Sequence, residues 1–96
     1  MNDFNIPINH FAADDRIKMP HLCLYMVLYQ YLRQGDFLNP IKIRRKEVMQ
    51  LSKISAKTTY HKCLKELEVW SYIKYKPSYH PSGKSEVYFI SLHDRI

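Results

Sequence analysis

The sequence predicts an α+β domain: three helices and a small antiparallel sheet, in the order helix, strand, helix, helix, strand, strand. Three observations lead to this. Leu22 to Leu32 is apolar except for Gln30, a run opened by Pro20 and closed by Gly35, which is the punctuation of a helix. Two segments with helical spacing then follow each other across a four-residue break, Ser52 to Ser55. Finally, two segments rich in aromatic and branched residues flank a turn-rich loop, which reads as a β-hairpin. A chain of 96 residues has room for one domain.

Residues 1–19 show no clean period. Asn2, Pro7, Asn9 and the Asp14–Asp15 pair suggest an extended arm with a turn, and Ile6, Ile8 and Phe11 are placed to pin it to the core. The domain proper is expected over 20–96. Pro20 suits the first helical position, where its missing N–H costs nothing. The helix it opens is apolar almost all round, so it should lie at the centre of the core or be shared with a second subunit. Asn39–Pro40 marks a turn, and Ile41-Lys42-Ile43-Arg44 alternates as a short strand with its isoleucines inward. Arg45 to Leu51 takes helical spacing, with Val48 and Leu51 toward the core and Met49 beside them. Ser55 is a candidate N-cap for the helix that follows, about Ala56 to Trp70. In that helix Ala56, Tyr60, Cys63, Leu64 and Leu67 make an inward stripe, with Trp70 near its edge. Tyr72 to Lys76 and Glu86 to Leu92 are the hairpin strands, and Pro77 to Ser85 is their loop. A short helix, a tight turn, a second amphipathic helix and then a hairpin make a winged helix-turn-helix. The strand at Ile41–Ile43 would add a third strand to the hairpin.

The net charge is +6, and its location matters more than its size. Residues 42–65 carry eight basic side chains and one acidic, a net +7, whereas residues 1–41 sum to −1 and residues 66–96 to zero. A concentrated basic segment in a folded domain is the footprint of a polyanion partner. In a helix-turn-helix the second helix enters the major groove of double-stranded DNA. Its exposed candidates are Lys57, Thr58, His61 and Lys62, with Lys65 farther along. Threonine can bond a base edge or meet a thymine methyl, and lysine reaches guanine acceptors or phosphate. Arg44, Arg45 and Lys46 before the two helices, and Lys53 and Ser55 in the break between them, are placed for phosphates, which set position and not sequence. In the wing, His80 and Lys84 are candidates for the backbone or the minor groove. The plain alternative for each is a solvated charged side chain, and Lys62 also stands four residues before Glu66, where it could pair with it.

Other chemistries lack support. His21-x-Cys23 and His61-x-Cys63 raise the question of zinc, but residues two apart on a helix point in different directions and the usual zinc spacings are missing. No metal or cofactor is expected. The sequence holds two glycines, Gly35 and Gly83, and neither a glycine-rich phosphate loop nor a nucleophile motif, so an enzyme is not expected. No small-molecule ligand is evident. Cys23 and Cys63 read as buried small hydrophobes in a reducing compartment. No secretory leader pattern opens the chain, and Leu22–Tyr29 is too short to span a bilayer. The expected location is cytoplasmic, away from membranes.

Several segments also resemble a known group of proteins. They are Pro20-His21-Leu22-x-Leu24-Tyr25, Asn39-Pro40-Ile41, Leu51-Ser52-Lys53-Ile54, Lys57-x-Thr59-Tyr60-His61-Lys62-Cys63-Leu64-Lys65-Glu66-Leu67 and Tyr72-Ile73-Lys74-Tyr75. Together they look like the small winged-helix proteins encoded on conjugative transposons and related mobile elements of anaerobic gut bacteria. The resemblance runs from the first helix to about Ser85, and the run from Lys57 to Leu67 is its most specific part. It implies transcriptional regulators and a mobile-element setting, and it brings no assigned site residues. The wing Tyr79-His80-Pro81-Ser82-Gly83-Lys84 departs from that group, which carries a bulky residue after the proline.

The expectation is sequence-specific DNA binding by a transcriptional regulator, acting as a homodimer through its first helix. Two alternatives remain: an accessory factor for excision, transfer or replication of a mobile element, and a winged-helix module for protein–protein interaction.

Overall fold

A computed structural model describes Phe11 and residues 13–78 and 83–90. Its elements are α1 (Met19–Gln34), β1 (Ile41–Arg44), α2 (Arg45–Ser52), α3 (Lys57–Val69), β2 (Ile73–Lys76) and β3 (Lys84–Phe89). This is the order expected from the sequence. The three strands form one antiparallel sheet in the order β1-β3-β2, so β1 adds to the free edge of the β2–β3 hairpin. Ile41 stands opposite Val87 and Ile73 opposite Phe89, which places all four on one face. That face closes the core. The outer face carries the intervening polar residues, as a half-buried sheet requires.

Helix α1 is the centre of the core. Leu24, Leu28 and Leu32 recur every four residues and are fully buried, packed with Val48 of α2, Tyr60, Leu64 and Leu67 of α3, and the isoleucines of the sheet. Its far side is open: Met26 is 37% exposed, and Gln30, Arg33 and Gln34 face outward. Tyr31 ties α1 to α2 by donating its hydroxyl to Glu47. Burial and then this bond push the Tyr31 phenol up to about 12. Among the described residues, no helix is long and apolar enough to cross a membrane.

Several local expectations need correction. Helix α1 begins at Met19, so Pro20 is not the first helical residue; the His21 ring, three residues beyond the cap, accepts the Lys18 amide at 2.9 Å. Gly35 follows the helix but is not left-handed, with φ −93°. The chain reverses instead at Asp36 and Phe37, with φ 57° and 61°. The strain at these two L-residues is offset by the Phe37 amide, which donates to the Leu32 carbonyl at 2.8 Å, and by its half-buried ring against the core. Leu51 is not a core residue; it is 57% exposed. Ser52 takes the inward position and satisfies its hydroxyl on the Val48 carbonyl at 2.6 Å. Ser55 is not the N-cap of α3. Ala56 is, in extended conformation and exposed, so it also leaves the inward stripe. Strand β3 starts earlier than expected, since Lys84 and Ser85, at the loop end of the hairpin, belong to it and pair with β1. Residues 91 and 92, expected in the last strand, and Ile6 and Ile8 of the arm lie outside the described residues.

The segment before α1 is held down by named contacts. The Phe11 ring lies in the core, stacked on Tyr25 at 4.3 Å. Asp14 accepts bonds from the Arg16 guanidinium at 2.7 and 2.9 Å and from the Tyr72 hydroxyl at 2.7 Å. The Arg16 guanidinium also stands 4.9 Å over the Trp70 ring. The Arg16 bonds, with help from Tyr72, hold the Asp14 carboxyl well below the usual carboxylate range. A depressed folded pKa means that the stabilisation is present above the unfolded value, about 3.9, and is lost as pH falls below it. Acid unfolding of an Asp14→Asn variant should therefore be shallower below about pH 4 than that of the parent. Superimposable slopes for the two proteins would show that this carboxylate carries no stability.

Candidate nucleic-acid interface

Helix α3 is built with one face in the core and one in solvent. Tyr60, Cys63, Leu64 and Leu67 are buried. At 100° per residue the opposite stripe is Thr58, Lys62, Lys65 and Val69, with His61 beside it and Lys57 toward one side. All six are exposed. The basic side chains Lys57, Lys62 and Lys65 all precede the acidic residues of the helix, and no acidic residue stands in its first turn. No side chain caps that turn, which carries Lys57 and Thr58. Uncapped amides and the positive end of the helix dipole favour an anion there. The acidic residues of α3 are engaged elsewhere: Glu66 meets His21 at 2.8 Å, and Glu68 accepts the Tyr75 amide of β2 at 3.1 Å. The alternative that Lys62 pairs with Glu66 is not taken up: among the described residues no Lys62–Glu66 ion pair forms. Val69, 68% exposed at the end of the stripe, is the one member not singled out from the sequence, although its spacing of seven from Lys62 would have found it.

The connection from α2 to α3 is tight. Lys53 sits in the left-handed region with φ 62°, and its amide donates to the Gln50 carbonyl. Next to it the Ile54 amide donates to the Met49 carbonyl at 3.0 Å, and the Ile54 side chain is buried. Ile54 fixes the turn to the core while Lys53 and Ser55 stay exposed. A lysine in this conformation costs about 1–2 kcal/mol that a glycine would not. Lys53→Gly should accordingly raise stability by up to about 1 kcal/mol in urea unfolding, while removing one cation beside α3. A destabilised variant would mean that the lysine side chain holds the turn.

The remaining sequence candidates separate into two places. Lys46 is exposed on α2, and the Arg45 guanidinium lies half-buried with its terminal nitrogen 3.8 Å from the Met49 sulfur. Arg44 and Lys84 stand opposite each other across β1 and β3, on the outer face of the sheet and not with α3. His80 lies outside the described residues.

A cluster that sequence spacing missed joins α1 to α3. The His21 ring, Cys63 sulfur and Glu66 carboxylate offer ligand atoms all within 4.8 Å of one another. The pairing crosses between the two His-x-Cys motifs, so it could not be seen within either. Its hydrogen bonding does not suit a metal. Nδ1 of His21 accepts the Lys18 amide, which leaves the neutral ring its proton on Nε2, the atom facing Glu66. An Nε2 ligand normally carries its proton on Nδ1 instead. Burial also pushes the Cys63 thiol up, away from the thiolate that binds metals. The His21–Glu66 bond serves as a partly buried link between the two helices, with the Trp70 ring packed 5.0 Å from His21.

Both free cysteines are accounted for by packing, Cys63 buried and Cys23 half-buried beside a shallow cavity of about 310 Å³ between the start of α1 and the α2–α3 turn. Comparison with known proteins adds no further constraint: no family model, no curated protein and no solved structure matches the chain.

Proposed function

We propose that the protein binds double-stranded DNA as a winged helix-turn-helix domain, with α2 and α3 as the helix pair and the β2–β3 hairpin as the wing. The observation that carries the reading is the stretch Lys57–Lys65 of α3, whose solvent face presents Lys57, Thr58, His61, Lys62 and Lys65 without an intervening acid. An α-helix fits the major groove, and residues at its start reach base edges. Thr58 and His61 are the residues of that face with sequence-reading chemistry. Lys53, Lys57 and Lys62 supply phosphate contacts around them. The reading assigns no reaction to the chain.

The simple biological role is a transcriptional regulator acting by occupancy of its site, and the mobile-element setting suggested by the sequence resemblance suits it. A homodimer through α1 belongs to the same reading. Its support is the open side of α1, where Val27, Tyr31 and Leu51 line a groove of about 230 Å³ toward α2 and Met26 is exposed nearby.

Selection of bound duplexes from a random pool tests the reading. The expected result is one recurrent motif, and a Thr58→Ala variant should relax preference at one position by about 1–3 kcal/mol. Enrichment that is identical for the parent and the Thr58→Ala variant would remove α3 from the recognition surface.

A further inference from the structure

The outer face of the sheet is a second basic surface, made from residues far apart in the chain. Its seven described positions are Lys42 and Arg44 on β1, Lys74 and Lys76 on β2, and Lys84, Glu86 and Tyr88 on β3. Five are basic and one is acidic. The register sets Arg44 directly against Lys84, and Lys42 and Lys76 on either side of Glu86. Like charges placed opposite each other in a sheet destabilise it. Among the described residues, none of the five cations makes an ion pair within 4 Å. Lys76 instead leans over the Tyr88 ring at 5.3 Å. Lys42, Lys76 and Lys84, with Pro77, Ser78 and Glu86, line a concavity of about 370 Å³.

We infer that this face binds the phosphate backbone of a second nucleic-acid duplex, separate from any duplex held by α3. The partner follows from the shape of the charge. Outward residues on one strand are spaced about 7 Å apart and neighbouring strands lie about 5 Å apart, so the cations form an extended array and not a single pocket. Such an array matches a line of phosphates better than it matches one small anion. An anionic membrane would call for apolar anchors, and among the described residues the large exposed apolar side chains, Met19, Met26, Leu38, Leu51 and Val69, all lie off the sheet. Except for Tyr88 the face is charged, so it would bind duplexes without regard to sequence. The two basic surfaces are the outward faces of different elements, α3 and the sheet, whose inner faces are buried in the same cluster. One molecule with both surfaces filled would hold two duplex segments together. The second face stands on its own geometry, and only this bridging rests on the α3 reading.

A sandwich capture separates the two. Full-length protein is loaded on an immobilised short duplex, washed, and offered a second, labelled duplex of unrelated sequence. The parent should capture it in a salt-sensitive manner. A Lys42→Gln, Lys74→Gln, Lys76→Gln variant, altered only at exposed positions, should still bind the first duplex but capture the second at least about tenfold less well at 0.1 M salt. Each single substitution should give part of that loss, which guards against a folding defect in the triple variant. Undiminished capture by the triple variant overturns the inference and leaves the α3 reading intact, as does absence of capture by a parent whose binding to the first duplex is lost in Lys57→Ala, Lys62→Ala. Loss of all duplex binding in the triple variant, with normal binding by Lys57→Ala, Lys62→Ala, would support the sheet surface and overturn the α3 reading instead.

Discussion

Replacing Phe11 with alanine is expected to cost about 3–5 kcal/mol of stability, the usual range for deleting a buried aromatic ring. The ring is 2% exposed, stacks on Tyr25 at 4.3 Å and meets Tyr72 edge-on at 4.8 Å. Tyr25 and Tyr72 in turn contact each other at 5.9 Å, and Tyr25 reaches Phe89 of β3 at 5.3 Å. Removing Phe11 therefore leaves a void between α1 and the start of β2, lined by rigid rings that cannot collapse into it. Small domains have total stabilities toward the lower end of about 5–15 kcal/mol, so the variant should melt far below the parent, by tens of degrees at about 4–8 °C per kcal/mol. A loss under about 1 kcal/mol in urea unfolding would show that the segment before α1 is an appendage and not part of the core.

The second large effect is expected at His21. Its ring accepts the Lys18 amide on Nδ1 and bonds Glu66 at 2.8 Å through Nε2, with its side chain only 6% exposed. His21→Ala removes both bonds, leaves the Lys18 amide without its partner at the start of α1, and opens a space beside Trp70. Together these should cost about 2–4 kcal/mol. Glu66→Gln keeps a hydrogen-bond acceptor for the ring at a partly exposed position, and should cost about 1 kcal/mol. The contrast tests whether the link orients α3 against α1. Equal losses in the two variants would place the energy in the charge of Glu66, and a negligible loss in His21→Ala would make the link incidental.

Much of this architecture is legible in the sequence because its cues are local. The apolar run of α1, the alternation Ile41-Lys42-Ile43-Arg44 and the 3.6-residue stripe of Tyr60, Cys63, Leu64 and Leu67 each specify an element and its inward face without reference to the rest of the chain. Errors arise where a neighbour decides. Leu51 looks like a core residue by type and spacing, yet Ser52 displaces it, because a serine that returns its hydroxyl to the preceding turn can be buried at little cost. The reversal after α1 falls on Asp36 and Phe37 and not on Gly35, because the Phe37 ring gains packing there that a glycine could not provide. The candidate surfaces divide in the same way. Lys57 to Lys65 lie on one helix, so their common face follows from period alone. The sheet surface gathers Lys42 and Arg44 with Lys74, Lys76 and Lys84 through strand register, and in the sequence the net charge of residues 66–96 is zero. Folding separates that balance: Glu66 and Glu68 turn to His21 and the β2 backbone, while the strand lysines face solvent together. His21, Cys63 and Glu66 are the extreme case, since Glu66 stands 45 residues from His21.

The most direct test of the central claim is the salt dependence of binding to duplex DNA, measured in parallel for the parent and a Lys57→Ala, Lys62→Ala variant. Each phosphate contact contributes about 0.9 to the slope of log affinity against log salt. If α3 lies against DNA, the parent shows a steep slope and the double variant flattens it by about two units. A steep slope that the variant leaves unchanged would place binding on another surface, and no binding even at low salt would contradict the DNA-binding account altogether.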